Sequence, residues 1–161
     1  MSTVLQTINA LESLNIKEMA ISAIEKNLQD MVTLNQAQLY EGKATSGKRF
    51  RRYAGRQYAD VKNQMNPRPG LGNPDLYLTG NFYRAIFAEL EGDNIIMDST
   101  DEKSGLLQSK YDGNSPGQLS ADGEGSNIFG LTRENWELFR DKCREDFCKE
   151  FEKRTGLIFK F

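Results

Sequence analysis

The stretch that decides the fold is residues 73–100, NPDLYLTGNFYRAIFAELEGDNIIMDST. Two apolar segments, AIFAEL and NIIMDST, lie on either side of the polar break EGDN. Gly92 and Asp93 or Asn94 suit turn positions that need a positive φ. The pattern predicts a β-hairpin within residues 79–100.

The residues that lead into this hairpin have two interpretations. Thr79 is placed to act as a helix N-cap, and the apolar residues after it would form one face over one or two turns. Periodicity alone leaves residues 82–88 open between helix and strand.

A long helical segment precedes this region, over residues 3–40. Its apolar residues recur at the three-and-four spacing of an amphipathic helix, and Asn15 marks a break and restart. We expect this segment to pack on the sheet. The first apolar stripe consists of Leu5, Ile8, Leu11 and Leu14.

The C-terminal segment predicts a second long helix, over residues 133–155. Thr132 is placed to cap its first turn, and Gly156 lies where a helix typically stops. An aromatic seam runs along it at helical spacing: Trp136, Phe139, Cys143, Phe147 and Phe151. Seven acidic and seven basic residues cancel over 133–154, which indicates a helix lying on a core.

The segments between these elements are irregular. Residues 41–74 have no apolar period and contain NPRPGLGNPD, in which prolines fix φ and remove backbone donors. We expect an extended basic arm there, with a short helix at 58–66. Residues 101–111 predict another short helix, and the Gly-rich residues 112–127 predict a mobile loop.

The predicted fold class is α+β, with long N- and C-terminal helices packed on a small antiparallel sheet and a long irregular arm. A chain of 161 residues suits one domain over 1–161. Its parts are a helical region 3–40, an extended basic arm 41–74, a hairpin region 79–100, a loop 112–127 and a C-terminal helix 133–155.

Composition narrows the function classes. No apolar run approaches the roughly 20 residues that cross a bilayer, and the N-terminus lacks the pattern of a signal peptide, so we expect a cytoplasmic protein without a membrane contact. Cys143 and Cys148 lie five apart in a helical pattern, about 140° apart around the axis, so they are not expected to bridge each other.

Catalytic patterns are incomplete. The chain has no histidine, the commonest general base and neutral metal ligand. GKATSGKR, residues 42–49, approaches a phosphate-binding loop but ends in Arg49 and follows a helix where a strand is required. The acidic segments lack EF-hand spacing, and a hydrolase using a carboxylate pair has no pair that stands out. The sequence predicts no enzyme, no cofactor and no metal site.

Charge is distributed unevenly. Residues 41–68 hold eight basic residues against two acidic ones, whereas residues 89–124 hold nine acidic residues against two basic ones. Two solvated faces would explain this pattern. A basic segment of one copy meeting the acidic segment of the next copy would explain it also, as a contact that closes into rings. The candidate interface residues are Lys48, Arg49, Arg51, Arg52 and Arg56 against Asp98, Asp101 and Glu102.

Residues 48–62 also fit a second hypothesis. There, Lys and Arg alternate with Phe50, Tyr53 and Tyr58, which is typical of a surface that binds nucleic acid. A sequence pI near 5.3 and the absence of a reader motif argue against it. A nucleic-acid-binding accessory protein therefore remains the alternative.

Two short motifs resemble a known family. Thr79, Gly80, Phe82, Ala85 and Ile86 are similar to its TG-x-(Leu/Phe)-x-x-(Ser/Ala)-Ile element. Phe129, Gly130, Leu131 and Thr132 are similar to its (Phe/Ile)-x-Gly-Leu-(Ser/Thr) element before the last helix. The family is the tailed-bacteriophage virion morphogenesis proteins, the small neck, tail-completion and tail-terminator components. The resemblance covers the C-terminal half, and the arm at 41–74 departs from it.

The resemblance implies a non-enzymatic subunit of a ring at the head–tail connector or neck, or at the tail terminus. Its partners would be further copies of itself and other phage structural proteins such as portal, connector or tail subunits. Nucleic acid would be present only as packaged DNA in a channel. The expected location is the virion, assembled in the cytoplasm of a bacterial host.

Overall fold

The computed structural model describes residues 4–111 and 127–158. Within them the fold is α+β, with six helices and one two-stranded antiparallel sheet. The predicted loop 112–127 lies outside the described residues except for its last one. In chain order the elements are α1 (Val4–Glu12), α2 (Ile16–Tyr40), α3 (Arg56–Met65), α4 (Asn81–Arg84), β1 (Ile86–Glu91), β2 (Asn94–Ser99), α5 (Ser104–Tyr111) and α6 (Arg133–Thr155).

The hairpin forms where the opening stretch predicts it. β1 and β2 pair in a register that runs from Ile86 opposite Ser99 to Glu91 opposite Asn94. Two residues remain for the loop, and Gly92 has the positive φ of 63° that the tight turn requires. The ambiguous residues 82–88 contain both structures, because α4 ends before β1 begins.

The N-cap of α4 corrects the prediction for Thr79. The cap residue is Gly80, whose φ of 80° is left-handed, and no side chain caps the helix. Thr79 is exposed. Glycine enters the left-handed region at little steric cost, so backbone geometry rather than a hydroxyl starts this helix.

The break in the N-terminal helical segment falls at residues 13–15, and Asn15 restarts it by accepting the backbone N–H of Glu18 at 3.1 Å. α2 then buries Met19, Ala23, Met31, Val32 and Leu39. The expected packing of the first stripe is wrong for α1, which contains no buried residue. The break separates α1 from α2, so the α1 stripe does not continue the buried face of α2.

The C-terminal helix confirms its predicted bounds and caps. Thr132 Oγ1 accepts the backbone N–H of Asn135 at 3.2 Å, and Gly156, with a φ of 72°, donates its N–H to the Glu152 carbonyl at 2.7 Å. Phe139, Cys143 and Phe151 of the seam are buried, Phe147 is half-buried and Trp136 is exposed. Cys143 and Cys148 are thiols and form no disulfide, as predicted.

The described chain divides into two compact units. The single domain over 1–161 stays a prediction. The first unit comprises residues 4–28 and 137–158, and the second comprises residues 29–111 and 127–136. In the first unit, Asp146 accepts hydrogen bonds from Asn27 at 2.8 Å and pairs with Lys26 at 3.0 Å. The second unit holds the hydrophobic core, which consists of Val32, Leu39, Ala44, Phe50, Phe82, Tyr83, Ile86, Tyr111 and Ile128.

The segment 41–74 is irregular outside α3, but it is anchored to the second unit. Phe50 is 2% exposed, packs against Tyr111 with ring centroids 5.1 Å apart, and donates its backbone N–H to Gly42 at 2.9 Å. Tyr53 donates its backbone N–H to the Gly72 carbonyl at 2.7 Å. These anchors are single residues that follow no apolar period. The sequence pattern therefore predicts an extended arm but does not show that the arm is attached to the core.

Candidate functional site

The five basic residues of the predicted interface all lie at the surface of the second unit. Lys48, Arg49, Arg51 and Arg52 belong to the irregular segment, and Arg56 is the first residue of α3. We call these five residues the basic surface. Phe50 lies between Arg49 and Arg51 in the sequence, and its buried side chain anchors the backbone there. The core therefore fixes the backbone near Phe50, while the five charged side chains extend into solvent.

The three acidic residues of the predicted interface differ among themselves. Asp98 is half-buried at the end of β2, where its Oδ1 accepts from the Ser99 N–H at 2.7 Å and from the Gln108 side chain at 3.2 Å. Asp101 Oδ1 accepts the Lys103 N–H at 2.9 Å, just before α5. Glu102 alone of the three is exposed. Asp98 thus joins the hairpin to α5 within the chain.

A cleft that sequence reasoning missed opens beside these acidic residues in the second unit. We call it the tyrosine cleft; its volume is about 640 Å³. Its wall includes the four tyrosines Tyr53, Tyr58, Tyr77 and Tyr111, with Asp101 and Glu102 on the same lining. The Tyr53 and Tyr58 rings meet edge to face with centroids 4.8 Å apart. The cleft offers aromatic faces and hydroxyl groups to a ligand.

A buried ion pair lies at the cleft wall. Lys62 Nζ from α3 is 2.6 Å from Asp75 Oδ1, and the two side chains are 5% and 2% exposed. Lys62 also donates to the Tyr77 carbonyl. Asp75 accepts further hydrogen bonds from the Tyr77 N–H at 3.1 Å and from the Asn66 amide at 3.0 Å. Both ions are therefore compensated inside the protein, as burial of charge requires.

The tyrosines around this pair are held as neutral phenols. The Tyr83 hydroxyl donates to the Asp75 carbonyl at 2.5 Å, and burial, together with the charge of Asp75, raises the pKa of Tyr83 well above its usual range. Burial likewise raises the pKa of Tyr53 well above its usual range and that of Tyr111 to about 12. With raised pKa values these three phenols stay un-ionised at neutral pH, so they are not phenolate bases or nucleophiles there.

Leu76, between Asp75 and Tyr77, has a φ of 53°. It is the one non-glycine residue in the described ranges 4–111 and 127–158 with a positive φ, and it lines the tyrosine cleft. Such a conformation costs free energy and persists only where the surrounding contacts impose it. Here the hydrogen bonds of Asp75 and Tyr77 on either side impose it.

The side chains of α3 explain why the sequence did not reveal this site. Ala59 and Lys62 are buried, whereas Tyr58, Val61 and Met65 are exposed. The apolar periodicity of α3 predicts that its apolar residues face the core and that Lys62 faces solvent. The sequence feature that could have pointed to the site is Asp75, a carboxylate at the end of the rigid proline-rich segment.

Two of the residues on which the hypothesis of a nucleic-acid surface over 48–62 depends are buried. Phe50 is in the core and Lys62 is paired with Asp75, so neither reaches a strand at the surface. The loop-like segment 42–49 follows α2 directly and is closed by a bridge between Lys43 and Arg49. No helix begins at Lys48, as phosphate binding by such a loop requires.

Across residues 4–111 and 127–158, no cluster of three His, Cys, Asp or Glu side chains is arranged to hold a metal ion. None of the helices there is both long and apolar enough to span a membrane.

Comparison with known proteins gives no match. Neither a protein-family model, nor a curated protein, nor a solved structure matches this chain.

Proposed function

We propose that the chain is a non-enzymatic structural subunit of a tailed-phage virion. It forms a ring at the head–tail connector or neck, or at the tail terminus, and docks onto adjacent virion proteins. Its partners are further copies of itself and portal, connector or tail subunits, and it acts in the virion after assembly in the bacterial cytoplasm.

The observation that carries this proposal is the basic surface. Five cationic side chains within nine residues are exposed, and the buried ring of Phe50 holds the backbone between them. A backbone that is already ordered before association adds little to the conformational entropy lost when a partner binds. Glu102, exposed at the rim of the tyrosine cleft, supplies the opposite charge for a neighbouring copy.

The two motifs that carry the phage resemblance give secondary support. The rings of Phe82 and Phe129, one from each motif, lie 5.9 Å apart. The Gly130 carbonyl accepts hydrogen bonds from Asn35 at 2.7 Å and from Gln38 at 2.9 Å. The motifs thus belong to one packed region of the second unit and not to two unrelated surface loops.

The decisive experiment is the solution mass, measured by light scattering at low and moderate salt. The wild type is expected to form a discrete oligomer that dissociates partly as salt screens the charges. Reversal of the basic surface in Arg51→Glu with Arg52→Glu is expected to weaken assembly by at least about tenfold, because like charges then face Glu102.

The matched control is Lys149→Glu with Lys153→Glu, which makes the same change of charge on the exposed face of α6. Unchanged assembly of the Arg51/Arg52 variant would contradict the electrostatic contact. A monomeric wild type that binds DNA with a steep salt dependence would favour the nucleic-acid alternative.

A further inference from the structure

Helix α1 carries an apolar stripe that faces solvent. Val4, Leu5, Ile8 and Leu11 are between 40% and 78% exposed, and no residue of the helix is buried. The only charged residue of α1 is Glu12, its last one. A membrane-surface helix typically has Lys or Arg on its polar face, and α1 has neither. The stripe therefore suits a protein surface better than a lipid surface.

Helix α3 carries a second apolar stripe that faces solvent. Tyr58, Val61 and Met65 follow a three-and-four spacing, and each is about half exposed, from 48% to 53%. Their position follows from the ion pair, since Lys62 and Ala59 occupy the buried face of α3. The glutamines Gln57 and Gln64 are on the same helix and add no charge.

We propose that the α1 stripe of one copy packs on the α3 stripe of the next copy. The two surfaces differ, so the contact is heterologous, and heterologous contacts close into rings when the rotation allows. The stripes match in length, because helices of nine and ten residues extend about 14 and 15 Å. This inference deepens the proposed ring and rests on it, since it names the surfaces through which the copies bind each other.

Charge fixes the direction of the packing. α1 ends at Glu12, whereas α3 begins at Arg56 and has no side-chain cap at Gly55. The N-terminus of a helix attracts negative charge through its unpaired N–H groups. An antiparallel arrangement brings Glu12 of one copy to the N-terminus of α3 in the next copy. A parallel arrangement would place this carboxylate at the negative end of α3.

The size of the contact indicates how assembly proceeds. Two helix faces of this length bury less than the roughly 800 Å² per partner that is typical of a stable pair. Each copy in a closed ring makes the contact twice, once with α1 and once with α3. We therefore expect few free dimers and a cooperative transition from monomer to ring.

The test uses two variants of the full-length chain, each with one stripe disrupted. In the first, Ile8→Asp with Leu11→Asp disrupts α1; in the second, Val61→Asp with Met65→Asp disrupts α3. All four positions are exposed, so circular dichroism is expected to show the wild-type fold. Leu106→Asp on α5, also exposed, is the matched control and should assemble as the wild type does.

Each variant alone is expected to be monomeric by light scattering, with self-association at least about tenfold weaker than in the wild type. Mixed in equal amounts at high protein concentration, the two variants are expected to form a weak dimer and no larger species, because each pair makes the contact only once. In that dimer the intact α1 of one variant meets the intact α3 of the other, and neither copy can bind a third.

Other outcomes overturn the contact. If the α3 variant dimerises by itself, α1 pairs with α1 and the interface is isologous. If both variants form rings, the copies associate through other surfaces and the proposed ring stands without this contact. If the wild type itself stays monomeric, the ring is overturned and the contact with it; flotation of that monomer with lipid vesicles would assign α1 to a membrane surface instead.

Discussion

Helices α6 and α3 both have an apolar stripe, but the stripe of α6 is buried and the stripe of α3 faces solvent. In α6, Phe139, Cys143 and Phe151 are buried, as their spacing predicts. In α3, Val61 and Met65 are exposed, and Lys62 occupies the interior beside Asp75. The difference teaches that periodicity identifies a helix face but not the direction in which it points. A charged residue enters the interior when a partner compensates it completely.

The largest effect on stability is expected from breaking the buried ion pair between Lys62 and Asp75, which holds the face of α3 that carries Lys62 in the interior. Asp75→Ala leaves the Lys62 ammonium buried without its counter-ion and removes an acceptor from the Tyr77 N–H. We expect the free energy of unfolding to fall by about 3–5 kcal/mol, the usual cost of breaking a buried pair from one side. Urea denaturation followed by circular dichroism measures this change.

The control for that experiment is Glu145→Gln, which breaks the exposed ion pair with Lys149 and should leave the urea midpoint unchanged. Similar losses of stability in the two variants would contradict the claim that the buried pair matters more than the exposed one. The comparison would sharpen if Lys62→Met combined with Asp75→Leu regained part of the loss, because an apolar pair needs no compensation.

A smaller effect is expected from the tyrosine that supports Asp75. Tyr83→Phe removes the hydroxyl that donates to the Asp75 carbonyl, so the free energy of unfolding should fall by about 1–2 kcal/mol at neutral pH. The same change alters the alkaline behaviour. Because the pKa of Tyr83 is raised in the folded state, its contribution is complete below about pH 10 and is lost as the pH rises further.

Urea denaturation at several pH values between 9 and 11.5, chosen about the ordinary tyrosine pKa, checks this sign. The wild type should lose stability more steeply than Tyr83→Phe above about pH 10, by up to about 1.4 kcal/mol per pH unit. Equal slopes for the two proteins would show that Tyr83 ionises alike in the folded and unfolded states.

The smallest effect is expected at the exposed stripe of α3. Val61→Ala and Met65→Ala should each change the stability of the monomer by no more than about 0.5 kcal/mol, because neither side chain leaves a cavity. Thermal unfolding at low protein concentration measures it. In α6, Phe139→Ala should cost about 3–5 kcal/mol by the same measurement. A loss of that size at Val61 would mean that α3 buries its apolar face.

The sequence predicted those parts of the fold that depend on neighbours in the chain. The hairpin follows from a two-residue turn with Gly92, and the bounds of α6 follow from Thr132 and Gly156. The break before α2 follows from Asn15. In each case a local preference and the packed structure agree, which is typical of sequences that fold to one structure.

The site could not be predicted in the same way. Lys62 and Asp75 are 13 positions apart and meet only because the proline-rich segment between them turns back on α3. The charge of Asp98 predicts an interface residue, but its Oδ1 accepts hydrogen bonds from Ser99 and Gln108 within the chain. The pairing of the basic surface with acidic residues of a neighbouring copy stays a prediction.

The turn at Gly92 has a practical consequence for testing the proposal that this protein is part of a larger particle. The residues 91–94 are exposed, and a Cβ placed on Gly92 would meet no atom within 4 Å. Exposed loop tips of this kind tolerate inserted sequence. A short epitope placed between Gly92 and Asp93 would give an antibody or a gold label a fixed point of attachment. Electron microscopy of labelled particles could then mark each copy without altering α1, α3 or the tyrosine cleft.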